Sequence, residues 1–126
     1  MTVLTQPPSL GDILKYELNP NYTRETVILL AGTTYPVGAV LGRITASGKY
    51  KLATSGGTDG AQTAAAMLLY PVDASGADGT GLIIARGPAI VSKAALVFDA
   101  TVDDAAKTAT KHGQLAALGI IPRDTA

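Results

Sequence analysis

The residues able to do chemistry are few: one histidine, ten Asp plus Glu, ten Lys plus Arg, and no cysteine in 126 residues. The missing cysteines remove a disulfide framework, a thiolate zinc site and a cysteine nucleophile together. His112 stands beside Lys111 with no partners at a spacing that suggests a catalytic relay, and is read as a solvated residue near a helix end. No Gly-x-Ser-x-Gly elbow and no Gly-x-x-x-x-Gly-Lys phosphate loop occurs. Asp73-Ala74-Ser75-Gly76-Ala77-Asp78-Gly79 has the outline of a calcium loop. It lacks an oxygen ligand at the fifth position (Ala77) and the closing glutamate at the twelfth (Ile84), so a hairpin connection is the expectation. Asn21-Tyr22-Thr23 matches the glycosylation sequon. The first residues show no basic-then-apolar leader, so the asparagine is not expected to meet the transferase. Together these point away from an enzyme, and no cofactor or metal is expected.

Charge and composition narrow the partners. Acids and bases balance at a formal charge of zero, whereas nucleic-acid binding rests on a basic excess that neutralises phosphates. No run of like charge suggests an interaction tail. No apolar run approaches the ~20 residues that cross a bilayer. Neither nucleic acid nor membrane is therefore an expected partner, and synthesis in a cytoplasm is expected. Apolar residues make up 47% of the chain but aromatics only 5%. A core of Val, Ile, Leu and Ala is thin for this length, and burial against further copies would add to it.

The elements that would carry these residues divide the chain in two. Residues 1–22 read as an extended N-terminal arm, with Pro7-Pro8 and Asn19-Pro20 favouring polyproline-like backbone. Residues 23–126 read as one mostly β (α+β) domain. Strands are expected over 26–30 and 37–44, the latter after a Gly-Thr-Thr-Tyr-Pro turn. Another is expected over 49–52, joined to 37–44 through the hairpin loop at 45–48. Residues 67–72 and 80–85 suggest a second hairpin across the 73–79 connection, and 96–98 a further short strand. Residues 61–66 fit either a helical turn or a loop. One C-terminal helix is marked by Thr101 as cap, Asp103 and Asp104 in the first turn, and Lys107, Lys111 and His112 later. Val102, Ala105, Ala106, Ala109, Gly113, Ala116 and Ala117 fall on one face, whose small residues imply close approach to a sheet or another subunit. Gly119 should stop the helix and Pro122 keep it stopped.

The middle of the chain carries a resemblance. Gly32 to Gly42 (Gly-Thr-Thr-Tyr-Pro-Val-Gly-Ala-Val-Leu-Gly), Gly48-Lys49-Tyr50, Gly57-Thr58-Asp59-Gly60-Ala61, Met67-Leu68-Leu69 and Val72-Asp73-Ala74 follow one another. That order resembles the head decoration proteins of lambda-like tailed phages. Arg86 to Val91, Ala94-Ala95-Leu96 and Leu115 to Ile121 resemble its longer members. The resemblance spans residues 24–121 and implies a compact β-clip-like or small barrel-like domain that forms a homotrimer. It further implies docking of that trimer on the major capsid protein, at three-fold and quasi-three-fold sites of the expanded head. The protein would then lie on the outer surface of the virion and stabilise the head against internal DNA pressure. The arm would order on the shell, through Val3, Leu4, Pro7, Pro8, Leu10, Ile13 and Leu14. Another virion component, such as a head fibre base or tail part, and a small β-rich ligand-binding module are the alternatives.

Overall fold

The computed structural model describes residues 13–124. The fold is mostly β, with ten strands and one C-terminal helix. The elements in order are β1 (Leu14–Glu17), a short helix α1 (Pro20–Thr23), β2 (Arg24–Leu29), β3 (Thr33–Tyr35), β4 (Val40–Arg43) and β5 (Tyr50–Leu52). Then follow β6 (Ala64–Leu68), β7 (Val72–Ala74), β8 (Gly79–Ile84), β9 (Ala89–Ser92), a 3-10 turn (Lys93–Ala95), α2 (Ala105–Ala117) and β10 (Ile120–Arg123). Five strands close a barrel in the order β2-β5-β4-β6-β8, with β8 returning to β2. The longest ladder is that closure, antiparallel from Arg24↔Ile84 to Leu29↔Gly79. A three-stranded sheet β1-β9-β10 and a two-stranded sheet β3-β7 complete the architecture.

Successive residues on a strand point to opposite faces, and the barrel wall uses both. Val40, Met67 and Ile84 join Ile13, Val91, Leu115 and Ile120 in one core. Their chain neighbours Leu41, Leu68 and Ile83 join Leu29, Tyr35 and Ala74 in a second. Strands covered on both faces need no polar alternation. That is why Val40-Leu41, Met67-Leu68-Leu69 and Ile83-Ile84 are continuous apolar runs.

Close backbone approach replaces the bulk that aromatics would have supplied. A Cβ on Gly42 would lie 2.3 Å from the Ala61 carbonyl oxygen, so the 61–64 connection packs directly on β4. At the far side, Gly119 (φ +83°) turns the chain from α2 into β10. There Gly87 packs so closely that an added Cβ would meet the Gly119 oxygen at 1.9 Å.

The hairpin at 45–48 is present, with β4 and β5 antiparallel from Leu41↔Leu52 to Arg43↔Tyr50. Several expectations need correction. The Gly-Thr-Thr-Tyr-Pro turn contains β3, paired with β7 from Thr33↔Ala74 to Tyr35↔Val72. β6 does pair with β8, through Met67↔Ile84 and Leu68↔Ile83, but β7 interrupts their connection to hold β3. Residues 64–66, left between helix and loop, open β6. The strand expected at 96–98 reduces to one bridge, Ala39↔Val97. Asp104, not Thr101, caps α2, accepting from the Lys107 N–H at 2.8 Å. Thr101 instead bonds Asp99 and receives the Ser55 N–H.

The small-residue face of α2 also differs from expectation. Ala105, Ala106, Ala109, Gly113, Ala116 and Ala117 are exposed, while Lys111 and Leu115 are buried. A lysine stem covers apolar surface when its head finds acceptors. Lys111 Nζ donates to the Gln62 carbonyl and to Gln114 Oε1, while Gln114 Oε1 also receives the Ala64 N–H. Burial lowers the Lys111 pKa.

Part of the 1–22 stretch lies in the folded unit. β1 is antiparallel to β9, from Leu14↔Val91 to Glu17↔Ala89, and β10 is parallel to β9, from Ile120↔Ala89 to Arg123↔Ser92. Leu14 and Arg123 thus stand at the same end of β9, on either side of it. The stretch before Ile13 lies outside the described residues.

Candidate functional site

The groups that first suggested chemistry are engaged elsewhere. Asp73 accepts from the Ser75 hydroxyl and N–H and from the Thr34 hydroxyl. The Ser75 bonds, chiefly, hold its carboxyl below the usual range. Asp78 pairs with Lys49 at 2.6 Å and accepts from the Ala31 N–H, and Lys49 is the main cause of its lowered pKa. The two acids of the imperfect calcium loop therefore serve separate contacts. No group of three His, Cys, Asp or Glu that could hold a metal occurs among the described residues. His112 is half-buried against Phe98, not solvated as the sequence suggested.

A depression of about 230 Å³ lies between Leu30, Gly32, Tyr35, Lys51, Thr54 and Asp99. Ligand clefts begin at about 300 Å³. Its polar groups are also occupied: the Tyr35 hydroxyl donates to the Leu30 carbonyl at 2.7 Å, Lys51 pairs with Asp59, and Asp99 accepts from Thr101. It offers little to a small molecule.

What remains is the surface where the N-terminal segment joins the domain. Asn19 caps α1 by accepting the Asn21 N–H at 2.9 Å, and Pro20 opens the helix, as its fixed φ favours. This short turn swings the chain from β1 into β2. It brings Glu17 against Arg24, with Arg24 Nε 3.0 Å from Glu17 Oε1 and a second contact through its terminal nitrogen. Buried Thr23 adds a hydroxyl donor to Glu17 Oε2 at 2.6 Å. Burial raises the Glu17 pKa, but the Arg24 and Thr23 bonds and the Arg24 charge outweigh it, leaving the carboxyl lowered. The Glu17 bond is in turn the chief reason that the Arg24 pKa rises.

Around this pinned turn stand apolar side chains in water: Tyr16 is 48% exposed, Leu18 59%, Tyr22 56% and Tyr70 46%. Three of the four have a neighbour of their own. Tyr70 adds, after Glu17, to the rise of the Arg24 pKa. Tyr22 lies under that of Arg86, 5.5 Å from its ring centroid, and Arg86 also pairs with Glu25. The Leu18 N–H donates to the Pro88 carbonyl at 3.0 Å. Aromatics and arginines held in place by their neighbours are the residue types that anchor protein interfaces.

The residues singled out from sequence are divided by the structure. Val3, Leu4, Pro7, Pro8 and Leu10 lie outside the described residues. Ile13 is fully buried in the first core and Leu14 packs against it from β1. Tyr16, Leu18, Tyr22 and Tyr70 were not identified. The signal available was three large apolar residues among Asn, Pro and Glu within 16–22, too polar a setting for a core strand.

The family model for bacteriophage lambda head decoration protein D matches residues 3–120. None of the curated proteins matches the chain.

Proposed function

We propose that this chain, which belongs to the bacteriophage lambda head decoration protein D family, docks as a trimer at three-fold and quasi-three-fold sites of the expanded phage head and braces it against internal DNA pressure. Membership makes it a capsid decoration protein of the virion, in a structural family and not an enzyme family. Among the described residues no helix is long and apolar enough to cross a membrane. The observation that carries the reading is the extent of the match, which takes in both the N-terminal segment and the domain.

The footing has two parts. Residues 1–12, with Val3, Leu4, Pro7, Pro8 and Leu10, form an arm that adds extended backbone to a strand of the major capsid protein. It gains main-chain hydrogen bonds without a deep pocket. Tyr16, Leu18, Tyr22 and Tyr70 supply apolar contact where the arm leaves the domain. Ile13 and Leu14 act from within, tying the arm to the core. Three arms on one trimer act together, so contacts that are weak singly become tight through effective concentration. Only a shell that offers all three sites at the right spacing satisfies them at once, which favours the expanded lattice.

Co-sedimentation with expanded and unexpanded capsids, counting bound copies, tests this. Saturable binding to expanded shells alone, in multiples of three per three-fold position, supports it; binding to tails or connectors and not to shells overturns it. Deleting residues 1–12 spares Ile13 and β1, so loss of binding by that folded protein assigns the arm, and full binding removes it from the footing.

A further inference from the structure

The His112 ring on α2 faces Phe98 from the preceding connection, with centroids 5.7 Å apart and planes tilted by 59°. Its Nε2 is buried and has no hydrogen-bond partner among the described residues. A neutral imidazole can leave one nitrogen as a bare lone pair, but in the imidazolium both nitrogens carry hydrogens that need acceptors. A charged N–H without an acceptor in a buried place is costly. We propose that His112 is an acid-sensitive latch, which holds the connection from Phe98 to Asp104 against α2 while neutral and releases it when protonated.

The surrounding charges favour release. Lys93, from the 3-10 turn, opposes a positive ring, and Asp124, beyond β10, favours one. Lys111, the neighbour on α2, is directed to Gln62 and Gln114. Burial is the largest influence and Lys93 the next, and together they outweigh Asp124 and lower the proton affinity of the ring. The folded form therefore binds the proton less readily than the opened one, so the contact is fully present above pH 6.5 and weakens as pH falls.

The neighbouring hydrogen bonds limit how far the opening spreads. Val97 is pinned to the barrel, donating to the Gly38 carbonyl and accepting the Val40 N–H, each at 2.9 Å. Beyond it, Phe98 is only partly buried against the first core. Thr101 reaches the rest of the domain through the Ser55 N–H. Opening therefore begins after Val97 and runs to the Asp104 cap, leaving β2 and β8 closed.

His112 is the only histidine in the chain, so its imidazole resonance is identified without assignment. The test follows that resonance by NMR from pH 8 to 4, with amide hydrogen exchange corrected for its intrinsic pH dependence. The expected result is a ring midpoint below 6.5, with protection of the Thr101 and Val102 amides, which both donate to Asp99, lost over the same interval while β2 and β8 keep theirs. The step should be absent in His112→Gln. A midpoint at or above 6.5, unchanged protection through the titration, or the same step in His112→Gln overturns the proposal. Should His112→Gln fail to fold, the coincidence of ring titration and exchange in the unaltered protein decides.

Discussion

Ile13 is the first of the described residues, and Ile13→Ala separates two roles for it. As a capsid contact it would matter only on the shell; as a core residue it matters in the free protein. The side chain is fully buried with Val37, Val91 and Leu96, and its Cδ1 lies where a Cβ on Gly38 would come within 2.9 Å. Truncation to alanine removes three carbons, about 2.4 kcal/mol at about 0.8 kcal/mol per buried methylene. The cavity left under a tight backbone adds to this, giving about 3–4 kcal/mol. An unfolding entropy of about 2.1 cal/mol/K per residue makes each kcal/mol worth about 4 °C at this length, so Tm should fall by roughly 12–16 °C. Thermal and urea unfolding at one fixed protein concentration measure it, since association would otherwise shift both. The variant should bind expanded capsids normally at temperatures where it stays folded. A Tm within about 2 °C of the parent, with binding lost, would refute the core assignment and return Ile13 to the arm.

Other outcomes follow from the same contacts. Tyr16→Ser with Tyr22→Ser should cost about 1 kcal/mol, chiefly the contact of Tyr22 with Arg86, while weakening capsid co-sedimentation; unchanged binding would remove these residues from the footing. Glu17→Gln should cost about 1–2 kcal/mol at pH 7 by loosening its charged bonds to Arg24 and Thr23. Because the folded Glu17 carboxyl is lowered from 4.5, its contribution is present above that pH and is lost as pH falls. The variant's urea midpoint should therefore converge on the parent's in acid. Asp104→Ala should cost about 1 kcal/mol through the lost cap, seen as a lower urea midpoint with an unchanged slope. Gly42→Ala should destabilise by about 1–3 kcal/mol, because backbone at Ala61 occupies the place of the new methyl, again read in urea.

The sequence showed most where a rule acts locally. The 45–48 hairpin, the β8 run, α2 and its stop at Gly119 all depend on nearby residues. It showed least where distant partners decide. β3 and β7 are three residues each and exist because they pair across 39 positions, as Thr34 and Asp73 illustrate. β1 reads as part of an arm because its polar and prolyl surroundings hide the partner it finds in β9. The buried face of α2 was misread because Lys111 counts as polar in any pattern, although its stem is buried and its head reaches two oxygens. Ala105, Ala109 and Ala116 suggested the opposite face by size alone. The contact of Tyr22 with Arg86 was not legible either, because it needs the turn at Asn19-Pro20 to bring the two together.

The position of β9 between the two end strands governs how the domain carries load. Tension between the N-terminal segment and the C-terminus enters at Leu14 and leaves at Arg123, both beside the same end of β9. Such a pull is directed across the ladders, so it opens their hydrogen bonds one after another, as a zipper opens. Tension between the N-terminal segment and a hold on the barrel through β2 runs differently. It meets the Glu17–Arg24 and Glu17–Thr23 contacts that bridge the α1 turn before it reaches β2. A domain held on one side by its N-terminal segment and on the other through its barrel is therefore firm along that line, and yields most readily when Leu14 and Arg123 are drawn apart.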